Sequence, residues 1–340
     1  MAPTQTDLAL GFWQAAQAAF QCAAPLPLVR YFRVAGLEVC LRFANDRLLN
    51  PLTQALLPLA LTEISAEPDL TIDVWDSAST GVAMPATAWR WDGDTACPVY
   101  ASYQQWRGGL NLYEPERAHA MLWIADAADL LPVVSAAPFL SVFQWHFSRH
   151  QRLLVHGAGL GVSAGGILLA GKGGSGKSTT SIAALLHSSL GFAGDDYVVL
   201  ENRPSGAEVH GIYASAKLLP DSRAWLPVAV SGIPVHEDKQ LYLLAEAYPE
   251  RFMSHFPLRA ILVPQVASST ALNPLSPSRA LIALAPQSLL AFSGTGDHHL
   301  HFLGTIVRHV PCYQLSLGRD LDAILRLLEA FVEEQNAHAS

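Results

Sequence analysis

The sequence predicts an α/β fold with a strand-rich N-terminal lobe, and three observations carry that prediction. Between Ile167 and Leu200 an apolar run, a glycine-rich turn, a helical run and a second apolar run follow one another. That is the order in which α/β proteins alternate their elements. The first 135 residues instead hold short alternating or β-branched runs, the pattern of half-buried strands. At the C-terminus, Leu321, Ile324, Leu325, Leu328, Phe331 and Val332 fall on one helical stripe, which suits a helix buried along one face.

The composition narrows the class further. The chain has 340 residues, 51% hydrophobic and 15% charged, with a net charge of −8. So few charges beside so much apolar material exclude disorder and coiled coil. The acidic balance predicts neither a nucleic-acid-binding face nor a polybasic membrane anchor. Mean hydropathy is +0.24, which raises the question of a membrane span. The longest weakly charged stretch, Leu153 to Gly171, contains His156 and six glycines, and reads as two buried strands joined by a turn. The N-terminus lacks basic residues before its apolar stretch and carries Asp7, a poor secretion signal, so a cytoplasmic location is expected. Cys22, Cys40, Cys97 and Cys312 are scattered without a CxxC pair, as reduced, buried thiols would be.

Taken in order, Leu28 to Val34 and Leu37 to Phe43 read as strands of a hairpin turning at Ala35-Gly36. Leu70 to Trp75 alternates with period two. Pro98 to Tyr103 and Ala118 to Ile124 are further strand candidates, and Asp76 to Gly93 reads as surface loop. Phe139, Val142, Phe143 and Phe147 mark a packing helix. The lobe boundary is placed beside it, giving an N-terminal α+β lobe over 1–135, for acceptor recognition or scaffolding, and a catalytic domain over 136–340. A short strand Leu153 to Val155, a strand Ile167 to Ala170, a helix from Lys177 to about Leu190 and a strand Phe192 to Leu200 follow. Leu241 to Leu244 and Ala260 to Val263 are later strands, the second ended by Pro264. Asp320 and Asp322 open the final helix, where negative charge suits the helix dipole.

Gly171-Lys172-Gly173-Gly174-Ser175-Gly176-Lys177-Ser178 matches GxxxxGK[ST] between the apolar and helical runs. Glycines let the backbone wrap closely around phosphate oxygens and aim successive N–H groups inward. The helix beginning at Lys177 adds the partial positive charge of its N-terminus. In such a loop Lys177 reaches the β- and γ-phosphates and the Ser178 hydroxyl ligates Mg²⁺; Thr179 completes the binding segment. Downstream, Asp195 and Asp196 begin a strand. One carboxylate can hold the metal, and the other can accept a proton from an attacking hydroxyl. His156-Gly157 lies fifteen residues ahead of Gly171, at the end of a strand expected to neighbour the loop strand.

These three elements together resemble the HPr kinase/phosphorylase family, and more closely the HPr-kinase-related proteins of bacterial gene clusters. The similarity spans roughly residues 150 to 335 and includes the closing PCYQLSLGRDLDAI. The resemblance implies a P-loop kinase core of the HPr kinase/phosphoenolpyruvate carboxykinase type, dependent on ATP and Mg²⁺. It implies catalytic roles for His156, Lys177 and Asp196 and metal binding by Ser178. The family loop reads GDSGxGKSE, so Lys172 and Thr179 are departures.

The expected activity is transfer of the γ-phosphoryl group to a hydroxyl, a serine of a peptide or protein, or a small-molecule hydroxyl. Asp196 serves as base, Lys177 and Mg²⁺ hold the phosphates, and Asp195 supports the metal. The alternative is a nucleotide-gated binding or ATPase module without an acceptor. No nucleic-acid or membrane partner is expected, and a homo-oligomer is left open. Lys217 and Lys239 could lend the phosphoryl group a second positive charge, but solvated surface lysines are the favoured reading. For His298, His299, His301 and His309, an exposed helix start is favoured over a metal cluster.

Overall fold

The computed structural model describes residues 3–64, 67–89, 97–104, 109–223, 225–235, 239–290 and 296–339. The chain divides into two compact units, Met1–Arg149 and His150–Ser340. The sequence boundary at 135/136 therefore lies upstream of this division, and the helix near Phe143 goes with the first unit.

The first unit is a mixed sheet under a helix. Helix α1 (Gln5–Ala23) starts at a reciprocal cap, Thr4 accepting from the Asp7 N–H while Asp7 accepts from the Thr4 N–H. Strands β1 (Leu28–Val34) and β2 (Leu37–Phe43) form the expected hairpin. Ala35 and Gly36, at φ 49° and 80°, supply the left-handed pair that a tight hairpin turn needs. Short helix α2 (Leu49–Thr53), β3 (Ala60–Leu61), β4 (Leu70–Asp76) and α3 (Ser77–Thr80) follow. Then come β5 (Tyr100–Gln104), β6 (Gly109–Glu114), β7 (His119–Ile124), α4 (Pro132–Ala136) and α5 (Leu140–Ser148). The sheet runs β3-β1-β2-β4-β7-β6-β5. Phe12, Trp13 and Phe20 of α1 bury against Trp75, Leu112 and Met121 on its face. Residues 90–93 of the expected loop lie outside the described residues.

In the second unit, β8 (Arg152–Val162), β9 (Gly165–Ala170), α6 (Lys177–His187), β10 (Gly191–Gly194) and β11 (Tyr197–Arg203) come first. They are followed by β12 (Gly206–Gly211), β13 (Ser215–Leu218), α7 (Pro220–Arg223), β14 (Ile233–Pro234) and β15 (Gln240–Leu243). The chain closes with β16 (His255–Val266), β17 (Ala271–Pro274), α8 (Pro277–Leu290), α9 (Gly296–His309), β18 (Cys312–Leu317) and α10 (Leu321–Ala339). Strands β8 and β16 are long enough to serve two sheets. Their first halves join β11 and β12; their second halves join β9, with β10 beyond β8 and β18-β17 beyond β16. Strands β13, β15 and β14 make a small separate sheet. One core packs α6 and α10 against β9 and β18, with Ile182, Leu169, Leu315 and Leu328 buried; another packs α8 and α9 against β8, β11 and β16.

Three local expectations are corrected. The strand expected over 153–155 runs on to Val162, because Gly157, Gly159 and Gly161 leave room for close neighbours: a Cβ at Gly157 would come 2.9 Å from the Leu169 carbonyl oxygen. Pro264 does not end its strand. Ala267 donates to Leu317, so odd-numbered amides of β16 face β18; Pro264 faces the other side, where β9 has already ended at Ala170. The histidine cluster is not simply an exposed helix start, since His299 on α9 is 2% exposed. Among the described residues, no helix is long and apolar enough to cross a membrane.

Candidate active site

The GKS loop joins β9 to α6, and its conformation depends on two glycines. Gly174 and Gly176 have φ of 77° and 102°, a region that side chains penalise. Gly176 is the N-cap of α6, and a Cβ there would overlap the Leu317 side chain on β18. Lys177 is buried and turns back over its own loop, donating to the carbonyls of Gly171 (2.6 Å) and Lys172 (3.2 Å). Burial lowers its pKa, against the opposing pull of Asp195 and Asp196. Ser175 Oγ is buried and has no hydrogen-bond partner among the described residues.

Strand pairing brings the distant motifs together. His156 pairs with Tyr197, Gly157 with Ala170, and the Gly157 N–H donates to the Asp196 carbonyl (3.2 Å). The histidine, the carboxylate pair and the end of β9 thus meet where β8 passes from one sheet to the other. From α8, Ser288 Oγ accepts the His156 N–H (3.1 Å). Burial pushes the His156 pKa down to about 4, only partly countered by Asp196, so the imidazole is neutral near pH 7.

The two adjacent carboxylates have different surroundings. Asp195 is 1% exposed and accepts from Ser181 Oγ (2.8 Å) and the Lys217 N–H (3.3 Å). Burial, then the neighbouring Asp196 charge, raises its pKa to about 6. Asp196 is one-quarter exposed and accepts from Lys217 Nζ at 2.5 Å. Burial would raise the Asp196 pKa, but the Lys217 ammonium, aided by its hydrogen bond, holds it below the ordinary carboxylate value. Lys217 is therefore no solvated surface lysine: it sits on β13, and its amide and its ammonium engage the two carboxylates separately.

A cleft of about 580 Å³ opens over these groups. Gly173 to Thr179, His156, Asp196, Lys217 and Lys239 line it, as do Trp225, Val266, Gln287 and Arg319. Of the sequence candidates, Gly171, Lys172 and Asp195 do not line the cleft. The first two lend carbonyls to Lys177; the third accepts from Ser181 on α6. Gln287 and Arg319 were not singled out by sequence reasoning, because neither belongs to a motif of the loop or of the carboxylate pair.

A second polar group stands apart on β11 and β12. Glu201, Glu208 and His210 approach closely enough to suggest a cation site. Arg152 and Arg203 already pair with these carboxylates (3.1, 2.8 and 3.3 Å), so the cluster is neutralised from within. Burial lowers the His210 pKa to about 4.

No family model and no curated protein matches this chain. Among solved structures, the Hpr(Ser) kinase/phosphatase from Coxiella burnetii aligns with a TM-score of 0.30 at 11% identity, covering 54% of this chain and 97% of that chain. A similarity of that size leaves the functional reading to the geometry of the cleft.

Proposed function

We propose that the second unit is a phosphotransferase that moves the γ-phosphoryl group of ATP onto a hydroxyl, with a serine of a peptide or protein as acceptor. The observation that carries this reading is the placing of the Asp196 carboxylate on the same cleft as the glycine loop and Lys177. A module that only sensed nucleotide would need the loop but no proton acceptor beside it.

The residues present suit a nucleoside triphosphate. The start of α6 offers N–H groups without a side-chain cap, Lys177 offers a cation, and Ser175 offers a hydroxyl with no partner among the described residues. Phosphates entering the loop would take Lys177 Nζ from the Gly171 and Lys172 carbonyls. Mg²⁺, when bound, would offset phosphate charge beside the Ser178 hydroxyl, which lines the cleft. In the transfer step the acceptor oxygen bonds to the γ-phosphorus as the bond to the β,γ-bridging oxygen breaks. The hydroxyl proton passes to Asp196, and ADP leaves with that bridging oxygen. Lys217 keeps Asp196 charged and in place until the acceptor arrives. His156, neutral beside Asp196, would orient that carboxylate or contact the γ-phosphate.

Incubation with γ-labelled ATP, Mg²⁺ and a serine-containing peptide library tests the reading. Label on a serine supports it. Phosphate release with no labelled acceptor, in peptides or in a panel of small hydroxyl compounds, supports the nucleotide-gated ATPase instead.

A further inference from the structure

The cleft is lined by two kinds of surface. One is charged, formed by Lys177, Asp196 and Lys217; the other is apolar, formed by Leu219, Trp225, Val266, Leu321 and Ile324. The apolar part is conspicuously open to water. Six large hydrophobic side chains are exposed among the described residues of the second unit, and three of them, Leu219 (44%), Trp225 (53%) and Val266 (70%), line this one cleft. Exposed apolar side chains gathered in one concavity mark a binding surface more often than single scattered ones do.

One short segment relates this surface to the phosphate loop. Lys217 is bonded to Asp196, where transfer takes place. Five residues on, Ser222 shares a 2.8 Å hydrogen bond with Thr179, in the first turn of α6. Trp225 follows three residues later, and its indole N–H donates to the Asp221 carbonyl. The ring is thus tethered through its edge by α7 while more than half of the residue stays exposed. Thr179, Ser222 and Trp225 all line the cleft, so a nucleotide with its γ-phosphate at Asp196 could extend past Thr179 toward the segment that holds Trp225.

We infer that this apolar lining receives the heterocyclic base of the nucleoside triphosphate, with the Trp225 indole as its stacking partner. The inference rests on the phosphate-loop reading but concerns a different part of the ligand. The loop recognises phosphate alone; the apolar lining would make the site selective for a nucleotide over a plain polyphosphate. Leu219, Val266, Leu321 and Ile324 add area without hydrogen-bonding side chains, so stacking carries the interaction.

Calorimetric titration of the full-length protein with Mg-ATP and with Mg-tripolyphosphate separates the two parts. Base stacking on an aromatic ring is worth roughly 5- to 150-fold in affinity. The wild type is expected to bind ATP at least tenfold more tightly than tripolyphosphate (~10-fold). Trp225→Ala should remove most of that preference while leaving tripolyphosphate affinity unchanged, and Trp225→Phe should restore it to within about threefold. Equal affinity of the wild type for the two ligands would overturn the inference and leave the loop reading standing. So would a Trp225→Ala variant that keeps the full preference for ATP. Binding of neither ligand by folded wild-type protein would remove the phosphate-loop reading, and this inference with it.

Discussion

Replacing Lys217 by Met removes the ammonium while keeping most of the side chain's length, so it isolates the charge that faces Asp196. Two unit charges 2.5 Å apart attract by roughly 7 kcal/mol at an effective dielectric constant of about 20. That figure is an upper bound, because both groups lose hydration to meet. Their side chains keep 22% and 25% of their exposure, so water also screens part of the attraction. After these offsets, breaking the pair should destabilise the second unit by about 2–3 kcal/mol. For a unit of this size that corresponds to a melting temperature lower by about 4–12 °C. Phosphoryl transfer should fall by about 100-fold, since Asp196 loses the ammonium that keeps it charged and in place as proton acceptor. A double-mutant cycle with Asp196→Asn supplies the decisive measurement. If the two charges act on each other, the double variant will be clearly more stable than the sum of the single losses predicts. Additivity within about 0.5 kcal/mol, together with undiminished turnover in Lys217→Met, would show that Lys217 is a bystander.

Lys177→Ala should abolish transfer and weaken Mg-ATP binding at least tenfold (~10-fold), because the loop loses its cation; near wild-type activity would place the chemistry elsewhere. Asp196→Asn should still bind nucleotide while turnover drops by about 100-fold or more; a matching loss of nucleotide affinity by calorimetry would reassign Asp196 to metal binding. A fragment spanning residues 150–340 should fold and bind Mg-ATP, since both cores of that unit are closed within it, yet phosphorylate its acceptor poorly if the first unit selects the acceptor. Unchanged kcat/KM in the folded fragment would place acceptor choice in the second unit. Acid should destabilise the second unit well above the carboxylate range. His156, His210 and His299 each have a pKa lowered to about 4 by burial, whereas in the unfolded chain they titrate near about 6.5. Between those values the unfolded state binds more protons, so stability is present above pH 6.5 and is lost as pH falls toward 4. Each histidine costs roughly 1–2 kcal/mol at pH 5, and Asp195, raised to about 6, returns only about 1 kcal/mol. Equal melting temperatures at pH 7 and pH 5 would refute the neutral, buried state of these rings.

The parts of this molecule that were legible in the sequence are those governed by local physics. The hairpin at Ala35-Gly36 and the apolar stripe of α10 follow from turn chemistry and periodicity, and both stand at the expected residues. The glycine loop was legible because its backbone needs left-handed residues at fixed spacing. Helix α1 was not assigned, since its apolar residues are diluted by alanines and its cap, Thr4 with Asp7, is a weak signal until the reciprocal bonds are seen. Strand β6 was missed for a related reason: Gly109-Leu-Asn-Leu-Tyr-Glu114 is short, and its burial comes from β7 and β5 on either side.

Lys217 shows most clearly where reading along the chain stops. Nothing in Ala214-Ser215-Ala216-Lys217 distinguishes that lysine from a solvated one. Its role depends on β13 lying against the bend at Asp195-Asp196 between β10 and β11, a contact between residues 21 apart in the chain. Once the strand is there, its backbone and its side chain do different things: the amide holds the buried carboxylate, and the ammonium holds the one that faces the cleft. Two identical neighbours in sequence acquire opposite pKa shifts: burial carries Asp195 upward, and the Lys217 ammonium carries Asp196 downward. Asp195 accepts from the Ser181 hydroxyl of α6, while Asp196, its pKa held down, faces the cleft. The Asp-Asp pair was thus visible in the sequence, but which aspartate faces the cleft beside an ammonium, as the proposed proton acceptor must, is set by a lysine that only the fold brings near.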